Sequence, residues 1–132
     1  MVTHLALGQS GAVRIESRRK WNVTDIELVK GQTYYFEATG EWRDAGRRCG
    51  PDGYPSPNWI FRSAEHCRRV PGENWLSLIG SLDCNPLTAF VIGKSKTIAV
   101  IDTGVLTCFA NDVAFMYWNN SGNLNLQITR VL

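Results

Sequence analysis

Short runs in which apolar and polar residues alternate recur along most of the chain, and they predict strands. Val13 and Ile15 mark the first run, Ile26 and Leu28 the second, and Thr33-Tyr-Tyr-Phe-Glu-Ala-Thr39 the third, entered through a Lys30-Gly31 turn. Six more follow: Trp59-Ile-Phe61, Trp75-Leu-Ser-Leu-Ile79, Leu87-Thr-Ala-Phe-Val-Ile92, Thr97-Ile-Ala-Val-Ile101, Val105-Leu-Thr-Cys-Phe109 and Leu124-Asn-Leu-Gln-Ile128. Strands this short, separated by frequent turns, bury their apolar faces only against a second sheet or by closure. The pattern therefore predicts an all-β chain: an antiparallel, jelly-roll-like β-sandwich of about eight or nine short strands. Helix is expected only over Ser63-Ala-Glu-His-Cys-Arg-Arg69, where Ser63 precedes Glu65 in a weak capping pattern. Loop residues dominate from about Gly40 to Gly72, and a long loop on a compact domain is where binding is to be sought.

Length and composition narrow the classes. With 132 residues, residues 1–132 read as a single domain, and 44% hydrophobic against 20% charged residues is an ordinary globular balance. Fourteen basic against twelve acidic side chains give a net charge of +2, too little for a dedicated nucleic-acid binder. No stretch of about eighteen apolar residues predicts a membrane span. The first ten residues lack the features of a secretory signal. The expected location is therefore cytoplasmic, or outside the cell by release without a cleaved signal peptide. Cys49, Cys67, Cys84 and Cys108 form no CxxC pair, so zinc is not expected. Free thiols are favoured, while pairing of Cys49 with Cys67 or Cys84 stays open. No Gly-x-Ser-x-Gly or other nucleophile pattern occurs, and the chain is not expected to be an enzyme.

The segment richest in chemistry is Asn111-Asp-Val-Ala-Phe-Met-Tyr-Trp-Asn-Asn-Ser-Gly122. It concentrates hard oxygen donors: the Asp112 carboxylate, the Asn119 and Asn120 amides, and the carbonyls of a turning loop. Calcium takes six to eight such oxygens. The same residues also suit a plain turn that accepts unusual backbone angles, and the residue types alone leave both readings open.

Several strings together resemble the bacterial calcium-dependent galactophilic lectin family (PA-IL-like lectins). They are Gly31-Gln-Thr33, Ala38-Thr-Gly-Glu-Trp42, Gly50-Pro-Asp-Gly53, Leu78-Ile-Gly80, Phe90-Val-Ile-Gly93, Asn111-Asp-Val113 and Asn119-Asn-Ser-Gly122. They occur in the family's order and extend over most of the chain; Asn-Asp-Val followed after five residues by Asn-Asn-Ser-Gly is the most specific. The resemblance implies a calcium ion that coordinates two hydroxyls of a sugar. It implies side-chain ligands from Asp112, Asn119 and Asn120, a backbone ligand from Met116, and a further carbonyl near Asp44 or Ala45. It also implies sugar contacts from Asp112, Val113 and Asn119.

Two departures bear on the sugar. The family's His-Pro-x-Gln loop is replaced by Gly53-Tyr-Pro-Ser-Pro-Asn-Trp59 and an insertion rich in Arg, His and Cys. Phe115, Met116, Tyr117 and Trp118 stand where the familiar metal loop is small and polar. The glycan is galactose-like or another sugar, with Trp118 and Asn58 as candidate contacts; Trp59 is a further stacking candidate, while Trp21, Trp42 and Trp75 are expected in the core. Arg43, Arg47, Arg48, Arg68 and Arg69, if they converge, suit an acidic glycan or an acidic protein. The alternative function is a lectin-like scaffold without a working metal site that binds a protein through the Arg-rich insertion. A homo-oligomer is compatible with either reading, because related lectins gain avidity from several weak sites.

Overall fold

A computed structural model describes residues 1–132 as ten strands in two facing sheets. Strands β1 (Thr3–His4), β3 (Asn22–Leu28), β9 (Gly104–Ala110), β6 (Leu78–Leu82) and β7 (Asn85–Val91) form the first sheet in that spatial order. The second runs β2 (Ser10–Glu16), β10 (Asn120–Arg130), β4 (Thr33–Asp44), β5 (Arg47–Cys49). Strand β8 (Ser95–Ala99) pairs with the first half of β4, on the side that β5 occupies further along. Every pairing is antiparallel except the two-residue β1–β3 contact. The expected all-β sandwich is thus the fold.

The alternation read from the sequence is the alternation of burial. Ile15 of β2, Ile26 and Leu28 of β3, and Leu124, Leu126 and Ile128 of β10 are buried between the sheets, with polar neighbours facing out. Twenty buried residues make one core, with Trp42, Tyr34 and Phe36 of β4 as its largest members. Strand β9 is buried on both faces: Leu106 and Cys108 point into the sandwich, while Phe109 on the outer face lies beneath Trp21 at 5.4 Å, edge to face.

Several expectations are revised. Strands β4 and β10 are long, at twelve and eleven residues, and β4 runs on to Asp44, well into the stretch expected to be loop. Trp59-Ile-Phe61 is not a strand but the start of the short helix α1 (Trp59–Ser63). Asn58 caps it, its side-chain oxygen accepting the Phe61 N–H at 3.1 Å. The helix expected over Ser63–Arg69 is reduced to a single 3₁₀ turn, Glu65–Cys67. Strand β7 ends at Val91, and Trp75–Ser77 precede β6 rather than belong to it. Trp42 and Trp75 are buried, Trp21 only partly. All four cysteines are free. No helix is long and apolar enough to cross a membrane.

Candidate functional site

Three segments meet at one end of the sandwich. The β4–β10 register sets Asp44 opposite Asn120, so the turn from β4 into β5 lies against the start of β10. Ala45 in that turn adopts φ 54°, a left-handed conformation that costs a non-glycine residue about 1 kcal/mol. Its N–H donates to the Asn119 carbonyl at 2.9 Å, which pins the turn to the oxygen-rich loop.

The second segment is that loop, Asn111–Asn119, and its neighbours hold it from several sides. Asn111 is fully buried and ties it to the insertion: its amide donates to the Val70, Glu73 and Asn74 carbonyls, and its oxygen accepts the Val70 N–H. The Arg69 N–H donates to the Asp112 carbonyl at 3.1 Å, and Arg68 bridges Val113. Tyr117 folds back so that its hydroxyl donates to the Ala110 carbonyl; burial lifts this phenol to about 12, and it stays protonated.

The third segment is the insertion. Phe61 of α1 packs edge to face on Trp75 at 5.3 Å and on Tyr54 at 6.3 Å. Gly53 makes the approach possible: at φ 66° a Cβ there would run into the Trp75 carbonyl and within 2.5 Å of Ser77 N.

Between the segments lies a cleft of about 710 Å³, within the range of small-ligand sites. Asp44, Ala45, Asp112, Val113, Met116 and Asn119 line it, six of the residues singled out in the sequence. Asn120 is buried and outside the lining, with its side chain near Asp112. The buried oxygens of these residues are unusual. Asp112 Oδ2, Asn119 Oδ1 and Asn120 Oδ1 are all inaccessible and have no hydrogen-bond partner. They are the only such side-chain atoms in the chain. An orphaned buried acceptor ordinarily costs about 1–3 kcal/mol. The orientation of Asn120 is fixed, because its amide nitrogen donates to the Ser17 carbonyl at 3.1 Å and so turns the oxygen the other way.

Burial pushes the Asp112 carboxyl up to about 6. The Val113 N–H, at 2.7 Å from Oδ1, works against that rise, the Asp44 carboxylate adds to it, and the nearby Asn120 amide opposes it without a hydrogen bond of normal geometry. Asp44 itself accepts the Tyr54 hydroxyl at 2.8 Å, and burial together with that carboxylate raises the Tyr54 phenol. Two carboxylates and the Asn119 amide on the cleft, with the Asn120 amide near Asp112, form an all-oxygen donor set, and no cluster of three His, Cys, Asp or Glu side chains occurs. The orphaned oxygens fit a hard cation of calcium's type.

Other candidates fall elsewhere. Trp118 is 67% exposed and Asn58 is engaged as the cap of α1; neither lines the cleft. Nor do the five arginines form one patch. Arg68 is buried over Trp75, and Arg69 lies 3.5 Å from the Phe109 ring centre while donating to the Lys20 carbonyl and the Tyr117 hydroxyl. Arg43 and Arg48 face each other across β4 and β5, leaving Arg47 alone on the cleft. Sequence reasoning missed the cleft's apolar wall of Ile60, Phe61, Ala64 and Trp75; the signal for it was Asn58 as a helix cap ahead of an apolar triplet.

Two facing sheets with a cleft between loops at one end define a β-sandwich. Among solved structures the chain is similar to the EclA N-terminal domain, described as a PllA-like lectin. The two share 18% identity at a TM-score of 0.68, over 90% of this chain and 94% of that one. At that identity the likeness is one of fold, and it does not single out the galactophilic calcium lectins. No family model and no curated protein matches the chain.

Proposed function

We propose that the protein is a calcium-dependent carbohydrate-binding protein, without enzymatic activity, that uses the cleft at the end of the sandwich. One observation carries the reading: the chain's only orphaned buried side-chain oxygens belong to Asp112, Asn119 and Asn120, and the first two of these residues line that cleft. A domain that leaves these three atoms unpaired gains by binding a cation between them. In this reading Asp112, Asn119 and Asn120 hold calcium through side chains, with carbonyls from Met116 and from Asp44 or Ala45. Bound calcium supplies coordination positions for two adjacent sugar hydroxyls.

The chain's own groups do the rest. The Val113 N–H holds Asp112 Oδ1 at 2.7 Å and fixes the carboxylate plane. The Asn120 amide is locked by Ser17, and the loop is clamped by Asn111 and Tyr117, so the donors are ordered before ligand arrives. Exposed Ile60 and half-buried Phe61, braced on Trp75, offer apolar surface for the C–H face of a pyranose.

Isothermal titration with calcium, followed by a glycan panel on the calcium-loaded protein, tests the proposal. Calcium uptake that Asp112→Ala abolishes, together with glycan binding that a chelator reverses, is expected. No calcium heat in the wild-type protein would sink it.

A further inference from the structure

Arg47 is the one cation on the cleft, and its surroundings are specific. Its guanidinium carbon stacks 5.2 Å from the Tyr54 ring centre and 5.6 Å from that of Phe61. Those two rings are themselves packed together, and Phe61 is braced on Trp75. An exposed arginine normally samples many rotamers and loses that freedom on binding. Here two aromatic faces hold the side chain against the wall. Its hydrogen-bonding edge is nevertheless free. The chain's three ion pairs are His4–Glu27, Arg19–Glu16 and Arg68–Glu65, and no side-chain hydrogen bond involves Arg47. Asp44, its register partner across the turn, is engaged by Tyr54 instead.

A stacked guanidinium with all its donors unused is a preformed receptor for a planar or tetrahedral anion. From this geometry we infer that the cleft selects glycans carrying an anionic substituent, a carboxylate or a sulfate, which Arg47 binds through paired N–H donors. The inference rests on the calcium-lectin reading and deepens it. Charge balance points the same way. With a divalent cation in place, Asp44 and Asp112 neutralise the ion and the Arg47 charge is left over. A neutral sugar leaves that charge facing solvent, whereas an acidic one matches it. The insertion thereby gains a role: α1, capped by Asn58, carries the ring on which the guanidinium lies.

The test is a glycan array of neutral, uronic-acid, sialylated and sulfated glycans probed with calcium-loaded protein, followed by titration of the best acidic ligand and its neutral counterpart. Acidic glycans are expected to dominate the array. The best of them should bind at least about tenfold tighter than its neutral counterpart, the scale of one charge-assisted pair. Arg47→Gln should erase that preference and Arg47→Lys should retain part of it. The uronic and sulfated arms tell which anion is preferred. Calcium uptake, read separately as the calcium-induced rise in Tm, shows that each variant is folded with its metal site intact. Array hits confined to neutral glycans, or an acidic preference that survives in Arg47→Gln, would overturn the role of Arg47 and leave the lectin reading standing. Failure of the wild-type protein to take up calcium would overturn the lectin reading itself, and this inference with it.

Discussion

Asp112→Asn should move stability in opposite directions with and without calcium. Lifting this carboxyl from 3.8 to about 6 means that keeping it ionised in the folded protein costs about 3 kcal/mol at neutral pH. The amide removes the charge, keeps an oxygen for the Val113 N–H, and brings an NH2 donor next to the orphaned Asn119 and Asn120 oxygens. In chelator the variant should therefore be more stable than wild type, by about 1–3 kcal/mol. For a domain of this size that is a rise in Tm of roughly 3–12 °C. In millimolar calcium the order should reverse. Wild type gains about 4.1 kcal/mol when the ion is at about a thousand times its dissociation constant, more than the variant's advantage in chelator, and the variant gains nothing. Differential scanning calorimetry in chelator and in calcium reads both. A variant less stable than wild type in chelator, with an undiminished calcium-induced rise, would refute the assignment of Asp112 as a buried, metal-seeking carboxylate.

The same group sets a pH dependence. Because its folded value lies above its unfolded one, Asp112 takes up a proton on folding at mildly acid pH, and metal-free stability should fall as pH rises through about 6. Calcium needs the ionised form, so its apparent affinity should weaken below pH 6 by up to tenfold per pH unit; titrations at pH 7.5, 6 and 5 showing constant affinity would contradict this. Gly53→Ala should cost at least about 2 kcal/mol in urea unfolding, because the added methyl meets fixed backbone at Trp75–Ser77 rather than a movable side chain. In thiol-labelling experiments exposed Cys67 should react first. Cys49, raised to about 11 by burial, and fully enclosed Cys108 should react only on unfolding. Rapid labelling of Cys108 in the native protein would contradict the packing of β9.

The sandwich was legible because strands half buried against a second sheet write their burial into the chain with period two, as β2, β3 and β10 do. Strand β5, Arg47–Cys49, carries no such signal: it is a short edge paired by register with the end of β4. The triplet Trp59–Phe61 is apolar without alternation, and nothing in three residues separates strand from helix until the Asn58 cap is recognised. The oxygen donors of the loop were legible as residue types, since Asp and Asn cluster there over few positions. Their lack of partners was not, because it depends on Ser17 taking the Asn120 amide from over a hundred residues away. Arginine roles were the least legible. Arg68 and Arg69 look like a surface pair in the sequence, yet aromatic rings from β9 and its neighbours take both into the fold, and only Arg47 faces the cleft.

Whether the three orphaned oxygens bind a cation is decided by a crystal structure of the protein grown in millimolar calcium. One ion is expected about 2.3–2.6 Å from Asp112 Oδ2, Asn119 Oδ1 and Asn120 Oδ1. Those oxygens bonded only to water or to protein donors, with calcium present and no ion between them, would contradict it.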